Sequence, residues 1–230
     1  MPPKLQRFRH LRRSRFRLLD VGCGNHSPAL AKRWFPACEY HGLDREQYNN
    51  GEQDYRLMNC FYQADLAASD LAGIPDGYFD VIVFAHVIEH LPNGIAVLER
   101  IIAKLAPGGE IYIEFPSVRS LALPSAPGSL NFCDDKTHLR LYTVPEICNA
   151  LLAAGVTVRR AGRRRHWPKL LLTPITATAS WLRYGAVQGG PLWDLCGFAD
   201  YVWAAKPASR GSANPGGVAS RDPAAPQRQL

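Results

Sequence analysis

Residues 18–25 read LLDVGCGN, a short apolar run that ends in two glycines one residue apart. A continuous apolar run suits a strand buried on both faces. Glycines at its end let the backbone pass close to a ligand where a side chain would stand in the way. Immediately downstream, SPALAKRWF at 27–35 has helical spacing, with Ser27 as its predicted cap and Pro28 in the first turn. Strand, glycine turn and helix together open a doubly wound α/β domain, in which ligands lie at the carboxyl ends of the strands.

The alternation continues outward from that unit. EYHGLD (39–44) and FYQADL (61–66) read as short strands, and YFDVIVFA (78–85) as a central one. A helix is predicted from about Asn93, with Ile95, Leu98, Ile101, Ile102 and Leu105 on one face and PGG at 107–109 as its stop, followed by the strand EIYIEF. After a loop over 116–142, Thr143 and Glu146 form a capping box for a helix that Gly155 ends. VTVRRA and FADYVWAAK (198–206) are the remaining strands. The domain organisation is therefore a basic arm at 1–16, one α/β domain at 17–206 with an apolar and basic insertion at 163–197, and a Pro-, Gly-, Ser- and Ala-rich tail at 207–230 predicted to be disordered.

Three acids end three successive strands. Asp20 stands two residues before Gly22, where it can meet a cationic group; Asp44 is placed to chelate a ribose diol; Asp65 can accept from an exocyclic adenine amine while the Leu66 amide donates to the ring. Together they describe a pocket for an adenosine ligand with an ammonium tail. A nicotinamide-dependent oxidoreductase on a related sheet is the rival, but its fingerprint would want glycine at 27, where Ser27 stands, and no acid at 20.

Through LLDVGCGN, YHGLD, YQADL, FDVIVFAHVIEHL and LERIIAKLAPGGEIYIEFP, in that order and spacing, residues 17–155 resemble the class I S-adenosylmethionine-dependent methyltransferases, in particular the small bacterial type 11 and 12 group. The resemblance implies a Rossmann-like seven-stranded sheet with an antiparallel last strand, supplied by FADYVWAAK, and S-adenosylmethionine as cofactor. It implies Asp20, Gly22 and Gly24 around the methionine part, Asp44 at the ribose, Asp65 and Leu66 at the adenine, and the backbone of Phe84 and Ala85 beside the sulfonium. A cofactor-binding protein without catalysis would carry the same marks.

HVIEH at 86–90 has the His-x-x-Glu-His spacing of inverted zinc peptidases. It falls at a strand-to-helix bend with Pro92 and Asn93 just beyond, so His86 and His90 are not expected on one regular helix, and no metal is expected. The family position commonly carries Glu-His over the cofactor pocket; His86 departs from it and is expected to face the substrate. NFCDDKTHLRLYT (131–143) is similar to a segment of methyltransferases associated with bacterial surface-glycan synthesis. From it His138 is expected as general base for a hydroxyl acceptor, with Asp134 or Asp135 orienting it and His90 as second choice. Asp134, Arg140 and Tyr142 are expected at the acceptor, a small molecule or a glycan- or lipid-linked compound.

The charge is uneven: residues 1–17 carry seven bases and no acid, 18–158 carry 17 acids against 9 bases, and 159–230 carry 11 bases against 3 acids. An acidic middle argues against a nucleic-acid-binding core, and no Asn-Pro-Pro-Tyr-like motif for a flipped base follows the fourth strand. The basic arm and RRAGRRRHWPK (159–169), with Trp167, Trp181 and Trp193 following, are candidates for peripheral contact with anionic lipid or for solvated basic segments. Six scattered cysteines without a Cys-x-x-Cys pair fit a reducing cytoplasmic setting. RRSRF lacks the apolar stretch of an export signal, and LLLTPITATASWL is too short to span a bilayer. Oligomeric state is not readable.

Overall fold

The structure, a computed structural model, describes residues 1–68 and 71–208. Seven strands, β1 (Arg17–Val21), β2 (Glu39–Asp44), β3 (Cys60–Gln63), β4 (Phe79–Ala85), β5 (Leu105–Pro116), β6 (Thr157–Arg163) and β7 (Ala199–Ala205), form one sheet in the order β3-β2-β1-β4-β5-β7-β6. The first five are parallel, and β7 runs antiparallel to both neighbours. Chain order reverses between β1 and β4, so a crevice opens beyond their carboxyl ends.

Alternation along β1 divides the core in two. Leu19 and Val21 join Ile82 and Phe84 on one face, under α4 (Gly94–Lys104) and α5 (Val144–Ala153) through Leu98, Ile101, Ile147 and Leu151. Leu18 points the other way, to Val81, Val83, Tyr40 and Phe35, where α2 (Ser27–Trp34) packs. The N-terminal arm belongs to this second layer. Its short helix α1 (Pro3–Gln6) buries Leu5, and Phe8 and Phe16 are buried after it. Burying each of these side chains stabilises by about 1.5–3 kcal/mol. The arm's apolar residues therefore serve the core, which removes them from an interfacial role.

The predicted elements lie within a few residues of the observed ones, with four differences, the first that α4 ends at Lys104 and β5 starts at Leu105, so PGG at 107–109 lies inside a strand rather than stopping the helix. Ser27 does not cap α2; the cap position is His26, at φ +57°, and the Ser27 hydroxyl turns inward. A helix absent from the sequence reading, α3 (Glu52–Leu57), follows β2, started by a box in which the Gly51 N–H meets the Asp54 carboxylate at 2.9 Å. The insertion forms two helices, α6 (Trp167–Tyr184) and α7 (Gly189–Cys196), which pack on each other. Of the predicted tail, 209–230 lie outside the described residues. No helix among the described residues is long and apolar enough to cross a membrane.

Candidate functional site

A cleft of about 1090 Å³ lies at the carboxyl ends of β1, β2, β4 and β5. Gly22, Gly24, Asp44, Asp65, Leu66 and Ala85 line one half of it. Gly22 sits at φ +74°, and a Cβ there would be 2.3 Å from Val87 Cγ2. A Cβ on Gly24 would be 2.7 Å from the Tyr48 carbonyl oxygen. The turn is thus closed to any larger residue, and the Gly22 N–H is tied to the Leu43 carbonyl at 2.8 Å. Between the glycines, Cys23 is fully buried, with its Sγ 2.7 Å from where a Cβ on Gly42 would stand; it fills space and faces no ligand.

Asp44 and Asp65 each commit one oxygen locally. Asp44 Oδ1 accepts from the Arg45 N–H at 2.8 Å, and Asp65 Oδ1 from the Ala67 N–H at 2.9 Å. The second oxygen of Asp65 is left to accept from an amine; Asp44 also draws on the Glu46 and Gly24 N–H groups, and its residue lines the cleft. Burial raises the pKa of Asp44, opposed by the backbone N–H groups around it. Asp20 is placed differently from its expected position: it is 1% exposed, behind the cleft wall. Its Oδ2 accepts from Ser27 Oγ, from the Tyr40 hydroxyl at 2.8 Å and from Lys4 Nζ at 3.5 Å, while Oδ1 has no partner. Lys4 and Ser27 stand between it and the cleft, so Asp20 acts through them. Phe84 is likewise fully buried in the core, leaving Ala85 alone of that pair at the cleft.

The bend at 86–90 is a network of charges. His86 adopts φ +55°, a left-handed conformation that costs a non-glycine residue about 1–3 kcal/mol. Its ring is held by carboxylates on both sides, Nδ1 to Glu89 Oε1 at 3.2 Å and Nε2 to Glu114 Oε1 at 2.9 Å. Carboxylates only accept, so both ring nitrogens carry protons and His86 is an imidazolium. Burial opposes that charge, but the two glutamates outweigh it and raise the pKa. Glu114 also accepts from Arg164 Nη1 at 2.9 Å, and Arg164 grips Asp194 of α7 through Nε and Nη2 at 3.2 and 3.1 Å. The five groups together carry one net negative charge, and Glu89 Oε2 is buried without a partner. His86 lines the cleft, tilted against Trp193 with ring centroids 5.0 Å apart, but has no nitrogen left for an acceptor.

His86 and His90 do not face one point, since Ile88–His90 is a 3-10 turn and His90 Nδ1 is bound to Thr137, 2.9 Å from its hydroxyl. His138 lies beside His90, ring centroids 4.8 Å apart, and both line the cleft. His138 Nδ1 is 2.7 Å from the Phe132 carbonyl, which can only accept. Nδ1 therefore holds the proton and Nε2 is left as an acceptor. Asp135 was the expected orienting partner, but its Oδ2 is 3.8 Å from Nε2 and its Oδ1 is occupied by Thr137, so the carbonyl takes that part. The Leu139 and Arg140 N–H groups donate to the Glu89 carbonyl at 2.9 and 3.2 Å, clamping this loop onto the 86–90 bend. Glu89, His90 and His138 also bring one ligand atom each within 4.8 Å of one another, a set able to hold a divalent cation.

Three expected acceptor residues lie elsewhere. Asp134 Oδ2 accepts from the N–H groups of Leu130 and Asn131, both at 2.8 Å, and of Ala126 at 3.2 Å. These bonds outweigh burial and hold its pKa at about 2, as suits a carboxylate that shapes a loop. Arg140 pairs with Glu146 and lies over the Tyr142 ring. Tyr142 is 1% exposed, a core residue whose hydroxyl donates to the Leu91 carbonyl. In their place the structure brings Trp193, Phe198, Glu114 and Arg164 to the cleft. Trp193 was visible in sequence only as part of an apolar insertion.

Sheet order, glycine turn and paired strand-end acids define an adenosyl-binding crevice, and the family comparison agrees. The chain belongs to the methyltransferase domain family, whose model matches residues 1–161. Its sheet is the Rossmann-like sheet of the class I methyltransferases. A ubiquinone biosynthesis O-methyltransferase of Aeromonas salmonicida (strain A449) is 28% identical over 158 residues, 62% of this chain and 63% of that one. A trans-aconitate 2-methyltransferase of Rhizobium meliloti (strain 1021) is 28% identical over 144 residues, 61% of this chain and 49% of that one. The chain thus spans less than two thirds of either relative. A solved SAM-dependent methyltransferase from Archaeoglobus fulgidus shares the fold, with a TM-score of 0.54 at 19% identity, over 88% of this chain and 91% of that one.

The cleft fits the cofactor on its own terms. Gly22 and Gly24 leave room that any Cβ would fill, the unpartnered buried Asp20 Oδ1 lies behind the methionine end, and the net negative cluster around His86 suits a nearby cation.

Proposed function

We propose that the protein methylates a hydroxyl group of a small-molecule or glycan- or lipid-linked acceptor, with His138 as the base. The observation that carries this reading is the His138 Nδ1 bond to the Phe132 carbonyl, which leaves Nε2 as the acceptor nitrogen of a residue that lines the cleft. The Aeromonas relative, named as an O-methyltransferase, supports an oxygen acceptor. When bound, S-adenosylmethionine supplies an electrophilic methyl carbon on a sulfonium. Asp44 and Asp65 hold the nucleoside end, Gly22 and Gly24 admit the methionine end, and the cluster of Glu89, His86, Glu114, Arg164 and Asp194 sets a negative potential beside the reacting cation. His138 Nε2 takes the acceptor proton as the new C–O bond forms, and the loop clamp to Glu89 keeps the ring aligned with the bend.

Calorimetry with S-adenosylmethionine and S-adenosylhomocysteine, followed by a methylation screen of His138→Ala beside the parent, tests the reading. Cofactor binding with loss of turnover in the variant is the expected result; unchanged turnover refutes His138 as base. A second reading rests on the Glu89, His90 and His138 set, in which a divalent cation binds the acceptor oxygen and lowers its pKa. Turnover abolished by a chelator and restored by metal would select it. In this reading the protein is cytoplasmic, which the scattered cysteines without a Cys-x-x-Cys pair support.

A further inference from the structure

Helix α6 is amphipathic in the inverted sense. The residues it buries, against α7 and the body of the domain, recur at helical spacing and are small or polar: Thr173 and Ser180, with half-buried Ala177 between them. The residues it exposes are the large apolar ones. Trp167, Leu171, Ile175 and Leu182 are 58% or more exposed and follow one another at i, i+4, i+8 and i+15, which places them on a single stripe of the helix, and Trp181 adjoins it at 58%. A soluble surface does not ordinarily present a continuous stripe of this kind. The charge around it has one sign. No Asp or Glu occurs between 147 and 193, whereas Arg159, Arg160, Arg165, Lys169 and Arg183 are all exposed there.

We infer that this face of α6 docks on an anionic lipid bilayer, lying in the interface plane with its aromatic residues at the headgroup level. Charge selects that occupant. A second copy of the chain would bring the same cations against themselves, while an anionic surface satisfies them as the apolar stripe enters the acyl boundary. The face is joined to the site: Arg164, two residues before the helix cap, lines the cleft, and α7, on which α6 packs, contributes Trp193 to its wall. The acceptor class that follows is an amphiphile presented at the membrane surface, which rests on the hydroxyl-methylation reading above; the docking itself does not.

The test is sedimentation of the full chain with vesicles of phosphatidylcholine alone and of equimolar phosphatidylcholine and phosphatidylglycerol, at low and high salt. Binding to the anionic vesicles only, weakened by salt, is expected, and the double variant L171E/I175E should reduce it by about tenfold or more. Because both positions are exposed, the variant should keep its melting temperature and its affinity for S-adenosylhomocysteine. Were it nonetheless to misfold, R165E/K169E provides the second arm, with the same loss expected. Absence of binding to either vesicle, or equal binding to both, overturns the inference. So does a concentration-dependent dimer, seen by light scattering, that L171E/I175E dissolves. Calorimetry on the same samples reports cofactor binding separately, so loss of docking with intact cofactor affinity rejects the membrane face and leaves the methyltransferase reading standing.

Discussion

His86 donates to Glu114 through Nε2 at 2.9 Å while its other nitrogen is held by Glu89, so a histidine at the strand end is a cation at neutral pH rather than a base. The consequence for stability has a definite sign. The fold raises the His86 pKa to about 9, so its contribution is complete below the ordinary value of 6.5 and drains as pH rises through about 9. Glu114 is lowered to about 2, so its contribution is complete above 4.5 and is lost as pH falls toward about 2. Melting temperature should therefore hold level between those ordinary values and decline from 6.5 to 9, and His86→Gln should flatten that alkaline decline. Parallel pH curves for parent and variant would contradict the charge assignment.

Arg164 is the one cation between Glu114 and Asp194, both buried. Arg164→Met keeps much of the volume, takes the cation from Asp194 and leaves Glu114 to His86 alone, which should cost about 3–5 kcal/mol in chemical denaturation. A loss below about 1 kcal/mol, within the range of exposed pairs, would mean the network is solvated.

Asp44 should govern cofactor affinity and little else. A charged acceptor for hydroxyl donors contributes about 1.5–3 kcal/mol, so Asp44→Ala should weaken S-adenosylhomocysteine binding by roughly ten- to a hundredfold in calorimetry. The melting temperature should change little, because the partners lost are backbone N–H groups of the turn, Arg45 foremost, at a position beside the cleft. Equal affinity in parent and variant would move the ribose elsewhere.

Gly22→Ala combines a left-handed backbone with a Cβ placed 2.3 Å from Val87 Cγ2. The backbone alone costs about 1–2 kcal/mol. Val87 adjoins His86, so the clash should also displace the bend, and the variant should lose cofactor binding as well as stability. A variant with unchanged affinity would show that the turn can yield.

For His138→Ala, removal of a general base predicts a fall in turnover of about a hundredfold or more at unchanged cofactor affinity. Turnover should survive a chelator; if it does not, His138 belongs with His90 and Glu89 as a ligand.

The glycine turn and strand-end acids that line the cleft were legible because they are local. Gly22, Gly24 and the acids at 44 and 65 occupy strand ends, and a strand end is visible in a run of apolar residues followed by a turn. Asp20 was misjudged by one layer, since its screening by Lys4 and Ser27 depends on an arm that sequence left free. The acceptor half resisted for a different reason. Chemically suggestive residue types at 134, 140 and 142 turned out to hold the chain, and Asn131 with Asp134 in fact has the spacing of a capping box, a signal that could have been weighed. The charges from Glu89 to Arg164 and Asp194 join segments 50 and 30 positions apart, a pairing no local pattern encodes.

Arg7 donates to the Tyr201 hydroxyl at 2.8 Å, 194 positions away, and its guanidinium lies 4.9 Å over the same ring. The arm that carries Lys4 to the cleft is thus fastened to the last strand of the sheet. During synthesis the arm waits for a segment 194 positions downstream before it gains this anchor, so the wall it forms beside the glycine turn is completed after β7 has paired with β5. The parallel strands can assemble early; the chamber for the methyl donor closes only when Tyr201 has reached the arm.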